Sequence, residues 1–372
     1  MSRAREFADL AGSADAGGLT GRNLIIGGCM RVAQRATSAT GKTSSGYFLC
    51  DRWQTLISAA GTWSLSQSTT VPSGQGFAYS FKYDCTTADA SLASSDYVIH
   101  RQNLEGQDLQ LLGYGASGAK TVTLSFWVRS NKTGTYVCEL RKYDDTRHNG
   151  GTYTISSADT WEHKTVSFTG DTASALVNSN AGGMKVHFWL AAGSSYTSGT
   201  LPSSWASNTT ANQAAGQTVN LADSTSNEWY ITGVQLEVGE QATPFDHSES
   251  YGETLARCQR YFYAISSNGN VTGNSAPMYE GHLWNNGFVK ASFDFPVHMR
   301  AVPTLTAGNA SGAYRFYRDN SNDPFDTLIL DVASQANMTC YQNSGISGTA
   351  GHGGSVQIRY ADGGSLEFSA EL

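Results

Sequence analysis

The residues able to do chemistry in this sequence are sparse, and most fail on spacing. Residues 36–44, ATSATGKTS, come near a phosphate-binding loop, but Ala36 stands where the first glycine is required. Such a loop must also follow a buried strand and open a helix, so that backbone N–H groups face the phosphate. RVAQR before it and the TSSGYF run after it give neither. There is no GxSxG elbow and no HExxH pair. The carboxylate pairs Asp144–Asp145 and Glu367–Glu371 are close only in sequence, whereas glycosidic cleavage needs two carboxyls across a cleft. His163 and His187 fall at outward strand phases, where a solvent-facing imidazole is expected. Cys29, Cys50, Cys85, Cys138, Cys258 and Cys340 form no CxxC pair and read as buried thiols. Asp51, Arg52 and Trp53 read as a strand end with a core tryptophan. What remains is aromatic. Tyr196 and Trp205 lie in a Ser/Thr/Asn-rich segment, and Tyr279, Trp284, Tyr314 and Tyr317 lie in loop-like stretches among Asn, Ser and Gly. Rings set among small hydrogen-bonding groups suit stacking on sugar faces; the competing reading packs each ring into a core. No cofactor is expected. Calcium at loop carboxylates stays open, without any EF-hand spacing.

The elements that must position these rings are strands. Val122, Leu124, Phe126 and Val128 alternate, as do Met184, Val186, Phe188 and Leu190, with Lys185 and His187 outward. Phe126, Trp127, Phe188 and Trp189 are expected to fill the gap between two sheets. Val234, Leu236 and Val238 share a face, while Trp229 and Ile231 keep the opposite phase. Gly233 is therefore a bulge where the pleat resets. Ser250 and Glu253 have capping-box spacing for a short helix. Beyond it, Val289–Phe295, Leu328–Val332, Val356–Tyr360 and Leu366–Phe368 are further strands. The segment 191–216 is long and non-periodic, hence functional or flexible.

The expectation is an all-β chain: an N-terminal arm and linker (1–22), an antiparallel β-sandwich (23–250), then a short helix and a small second β-sandwich (251–372). The 372 residues, 40 glycines and 15% charged residues suit short strands and tight turns. A net charge of −7 without a Lys/Arg run excludes a nucleic-acid surface. No segment has the apolar length of a membrane span. Synthesis in a cytoplasm without membrane insertion is expected.

Three blocks carry a resemblance. NLIIGGCMRVAQR with the later DRW, GVQLEVGEQATPFD with RCQRYFY, and FPVHMRAVPTLT resemble segments of tail-fibre and other structural proteins of tailed bacteriophages. The resemblance implies a jelly-roll first domain similar to carbohydrate-binding modules, a place in the virion, and a non-enzymatic role in host-surface glycan attachment. It also implies a homotrimer, held to other virion proteins through the N-terminal arm, with Phe7 and Leu10 as anchor points. A capsid-decorating protein is one alternative; a glycan-degrading enzyme or free carbohydrate-binding module is the other.

Overall fold

A computed structural model describes residues 22–265, 279–319, 321–359 and 362–372. Phe7, Leu10 and Tyr360 lie outside them. The chain divides into two compact units, residues 1–254 with Leu372, and 255–371. The division falls inside the helix Tyr251–Gln259. Its start is the expected capping box: Glu253 Oε2 accepts from Ser250 N at 2.6 Å, and Ser250 Oγ accepts from Glu253 N at 3.2 Å.

In chain order the first unit's strands are β1 (Ser38–Lys42), β2 (Trp53–Ser58), β3 (Thr62–Ser68), β4 (Ser80–Thr87), β5 (Tyr97–Glu105), β6 (Val122–Ser130), β7 (Gly134–Lys142), β8 (Arg147–Ile155), β9 (Glu162–Phe168), β10 (Gly182–Ala192), β11 (Ala206–Ser207) and β12 (Glu228–Val238). They form two antiparallel sheets, ordered β1-β3-β4-β12-β6-β9 and β11-β8-β7-β10-β5-β2. Without the flanking β1, β2, β3 and β11, two four-stranded sheets remain, β4-β12-β6-β9 and β8-β7-β10-β5. The chain crosses between them repeatedly, and its first and last strands, β4 and β12, lie side by side. That order is a jelly roll.

One core fills the gap, with Phe126, Phe188, Trp53, Trp63 and Trp229 fully buried. Trp127 and Trp189 correct the expectation of four rings in that gap. Neighbours in a strand point to opposite faces, so with Phe126 and Phe188 inward both tryptophans point outward. Trp127 is half-buried against His163. Trp189 is buried in a separate cluster with Ile99, Val137 and Ala214.

The bulge at Gly233 has a clear use. β12 pairs with β4 only over Glu228–Ile231, and its pairing with β6 shifts between Thr232 and Gln235. Past the shift, the chain's own beginning takes the place of β4. Val234 N donates to Gly28 O at 3.0 Å and Leu24 N to Leu236 O at 2.9 Å. Asn23 Oδ1 accepts from Leu236 N. Gly233 has φ +61°, and a Cβ there would stand 2.5 Å from the Phe77 ring.

The second unit contains β13 (Phe262–Ile265), β14 (Tyr279–Asn285), β15 (Phe288–Asp294), β16 (Thr304–Ala307), β17 (Tyr314–Arg318), β18 (Ser321–Phe325), β19 (Ile329–Ala333), β20 (Asn337–Gln342), β21 (Gly353–Ile358) and β22 (Leu366–Ser369). A three-stranded sheet, β13-β22-β16, and a seven-stranded sheet, β18-β17-β21-β14-β15-β20-β19, share one core around Phe293, Tyr314, Val356 and Phe368. The stretches around Tyr279–Trp284 and Tyr314–Tyr317, expected as loops, are strands β14 and β17.

Candidate functional site

The seven-stranded sheet buries one face and opens the other. β14 and β15 form a hairpin whose turn is tied by Gly287 N donating to Asn285 Oδ1 at 3.0 Å. Along β14 the period of two sends Leu283 into the core and leaves His282 and Trp284 outward. Along β17 it buries Tyr314 and Phe316 and turns Tyr317 out. The exposed large hydrophobic residues of the described chain number eight, and four are on this face: Trp284 at 63%, Tyr317 at 41%, Ile329 at 39% and Val332 at 65%. Isolated exposed apolar residues are ordinary, but a grouped set marks a contact surface.

The rings have polar company. Lys290 Nζ lies 4.7 Å from the Trp284 ring centroid and donates to Asp331 Oδ2 at 2.7 Å. In register, His282 faces Lys290, Lys290 faces Tyr341, and Tyr341 faces Ile329. Phe288 and Tyr341 meet at 5.0 Å. A second row sets Ser292 against Thr339 and Thr339 against Val332, with Ser292 Oγ and Thr339 Oγ1 3.1 Å apart. Tyr317 pairs with Ser355, which pairs with Glu280. From strand spacing and rise, Tyr317 and Trp284 stand roughly 16 Å apart. This is an elongated strip of rings with hydroxyl, carboxylate and ammonium groups between them. It can stack on and hydrogen-bond an extended ligand.

Of the six rings singled out in the sequence, the structure brings Trp284 and Tyr317 to this strip and withdraws the others. Tyr314 is wholly buried, stacked on Phe325 at 5.7 Å, with its hydroxyl donating to Ser365 O. Tyr279 turns toward the core and meets Phe293 at 4.2 Å. Trp205 is buried against Tyr114 and donates from Nε1 to Thr169 O at 2.8 Å. Tyr196 packs on Trp189 at 5.2 Å and on Tyr97 at 5.5 Å. Both latter rings pin the long segment onto the jelly roll. That segment is also stitched by Gly150 N donating to Pro202 O and Asn208 N to Thr146 O. Phe288, Tyr341 and His282 were missed; only the pairing of β14 with β15 and of β15 with β20 shows that they share a face with Trp284.

The other chemical groups are structural. Residues 38–42 form β1, so no helix opens after Lys42, whose ammonium lies 4.7 Å from the Phe48 ring. His187, expected at the surface, is buried beside Glu139 and edge-on to Trp189, with ring centroids 6.4 Å apart. Its Nδ1 lies 3.0 Å from Glu139 Oε2, and His148 Nδ1 lies 2.7 Å from Glu139 Oε1. Burial alone would raise the Glu139 carboxyl, but Arg141 and the two imidazoles hold it well below the usual range. Burial pushes His187 down to about 3, so its ring is neutral. Asp51 accepts from Gln34 N, Arg52 donates to Asn103 O, and Trp53 stacks on His100 at 4.5 Å.

The buried carboxylate of Asp171 is held by cationic side chains. Lys142 Nζ donates to the carbonyls of Ser174 and Ala175 and lies 3.5 Å from Asp171 Oδ2, while Arg147 Nε donates to that oxygen at 2.9 Å. Among the described residues, no group of three or more His, Cys, Asp or Glu is placed to hold a metal ion. No helix among them is long and apolar enough to cross a membrane.

No family model matches the chain, and no curated protein sequence matches it. Solved structures do. The chain is similar to the enzymatically active domain of tailspike protein 4 of bacteriophage CBA120, at 10% identity and TM-score 0.31 over 59% of this chain and 22% of that one. It is similar to the module TmCBM61 in complex with β-1,4-galactotriose, at 10% identity and TM-score 0.30 over 59% of this chain and 99% of that one. The family 11 carbohydrate-binding module from Clostridium thermocellum, in complex with a mixed-linked tetrasaccharide, aligns at 10% identity and TM-score 0.28 over 55% of this chain and 98% of that one.

Proposed function

We propose that this chain is a non-enzymatic structural protein of a tailed-phage particle, part of a tail fibre or related appendage, that attaches to host-surface glycans. The three sequence blocks of the first subsection support the particle setting, and the all-β architecture suits it. The carrying observation for glycan attachment is the open strip around Trp284 and Tyr317. Ring faces and directional polar groups alternate there, as an extended sugar chain requires. The buried carboxylate Glu139 accepts from Arg141 and lies within hydrogen-bond distance of both imidazoles, an arrangement that holds a sheet together rather than turning over substrate. The assembly would be a homotrimer joined to other virion proteins through the N-terminal arm, residues 1–22.

Trp284→Ala and Tyr317→Ala, made singly, test this. Both side chains are exposed, so folding should survive, with melting temperatures within a degree or two of the parent. Adsorption of particles to host cells should fall at least tenfold for Trp284→Ala. Full adsorption by both folded variants would move recognition off this face. Immunogold labelling on capsids rather than tails would make the chain a decoration protein. Release of reducing sugar from host envelope glycans would make it an enzyme.

A further inference from the structure

The strip around Trp284 ends on a residue that is extra to its ladder. β19 and β20 pair Ile329 with Tyr341 and Leu330 with Cys340, then resume at Val332 with Thr339, so Asp331 has no opposite number. A bulge of this kind re-aims side chains. Here it leaves Ile329, Asp331 and Val332 all exposed, where strict alternation would have turned Val332 inward.

Asp331 lies on the edge strand of the seven-stranded sheet, and its carboxylate accepts from Lys290 Nζ at 2.7 Å. Lys290 belongs to β15, two strands away. The two side chains close that gap of roughly 10 Å by lying across β20. The same ammonium is 4.7 Å from the centroid of the Trp284 ring and 5.7 Å from that of Phe288. Trp284 comes from β14, on the far side of β15. Its indole is therefore drawn over the hairpin toward the edge strand, held against the ammonium while most of the ring stays open. An exposed tryptophan near a hairpin turn would otherwise exchange among its rotamers. Exposed ion pairs and cation–π contacts add little to folding. Their effect falls on the ring instead: a side chain already ordered loses less freedom when a ligand stacks on it.

We propose that Lys290 and Asp331 are positioning residues, an ion pair that holds the Trp284 ring in its receiving orientation before any ligand arrives. Lys290 acts through Trp284 and not as a charge on the ligand. Only the identity of what stacks on the ring rests on the glycan-attachment reading.

Relaxation of the Trp284 indole Nε1–H in the isotope-labelled full chain, without ligand, tests the ring's order. The parent's indole should be as rigid as those of the buried tryptophans. Lys290→Met and Asp331→Asn should each make it mobile on the ps–ns scale at unchanged melting temperature. Lys290→Arg, which keeps the charge and can stack on the ring, should preserve the order. Salt at about 1 M should loosen the parent's ring, since it screens an exposed pair. Adsorption of particles carrying Lys290→Met or Asp331→Asn should fall about three- to tenfold, the effect of having to order one side chain on binding. In a Trp284→Ala background, Lys290→Met should lose nothing further. A mobile indole in the parent, an unchanged indole or full adsorption in both variants, or a further loss from Lys290→Met without the ring would overturn the proposal. Full adsorption by Trp284→Ala would defeat the attachment reading alone, because the order of the indole is read with no ligand present.

Discussion

Lys142 occupies a position where a bound cation would otherwise be needed. Its ammonium satisfies two carbonyls and faces the buried Asp171 carboxylate. Lys142→Met should therefore cost about 3 kcal/mol, because it strands acceptors out of water. Adding chelator to the parent should leave its melting temperature unchanged; a fall of several degrees would show a structural metal. The buried imidazoles make a second prediction. His100 and His187 are each held by burial at about 3, against an unfolded value near ~6.5. Between those values the unfolded chain takes up protons that the folded chain refuses, so stability is full above about pH 6.5 and declines as pH falls. Below the usual carboxylate range the depressed Glu139 adds to the loss, since its contribution disappears as the carboxyl protonates. Melting temperature followed from pH 7.5 to 4 checks the sign. A flat profile would mean that the rings are solvated.

At the scale of elements, the bulge in β12 and the cap before the helix Tyr251–Gln259 each rest on one residue. Gly233→Ala puts a Cβ into a left-handed backbone and against Phe77. It should destabilise the first unit by roughly 1–3 kcal/mol, read from urea melts. The damage should centre on Leu24–Gly28, which pairs with β12 only beyond the bulge; hydrogen exchange at Val234 and Leu236 would report it. Ser250→Ala removes one half of the capping box and should cost about 1 kcal/mol. An Ala at 250 as stable as Ser would show that packing alone holds the helix start.

At the scale of the whole chain, each unit closes its own core, and a domain with a closed core is able to fold alone. A fragment of residues 22–254 should melt in one cooperative transition with dispersed amide resonances. A collapsed spectrum would show that the jelly roll depends on the rest of the chain. For the full chain, light scattering at micromolar concentration should give three times the monomer mass if the trimer of the proposed assembly forms without the particle.

The amino-acid sequence by itself determined most of the jelly roll's elements, though it left β14 and β17 as loops. Alternation in β6, β10 and β12, the phase reset at Gly233, and Ser250 with Glu253 are local patterns, and backbone geometry reads them without help from distant residues. The resemblance of three blocks supplied the setting, and the β-sandwich class followed from periodicity. Tertiary structure decided what each face meets. Periodicity placed His187 at the surface, yet its ring is buried beside Glu139 and Trp189. Tyr314 and Tyr317 looked equivalent because composition does not reveal phase; three residues apart in one strand, they fall on opposite faces. Trp284 gained Phe288 and Lys290 from hairpin register and Tyr341 from the pairing of β15 with β20. Arg101 met its acceptor Gln54 only when β2 and β5 were laid side by side. Strand pairing is long-range, and a one-residue slip would exchange every face. Which rings are offered to a ligand is therefore fixed by pairing, not by composition.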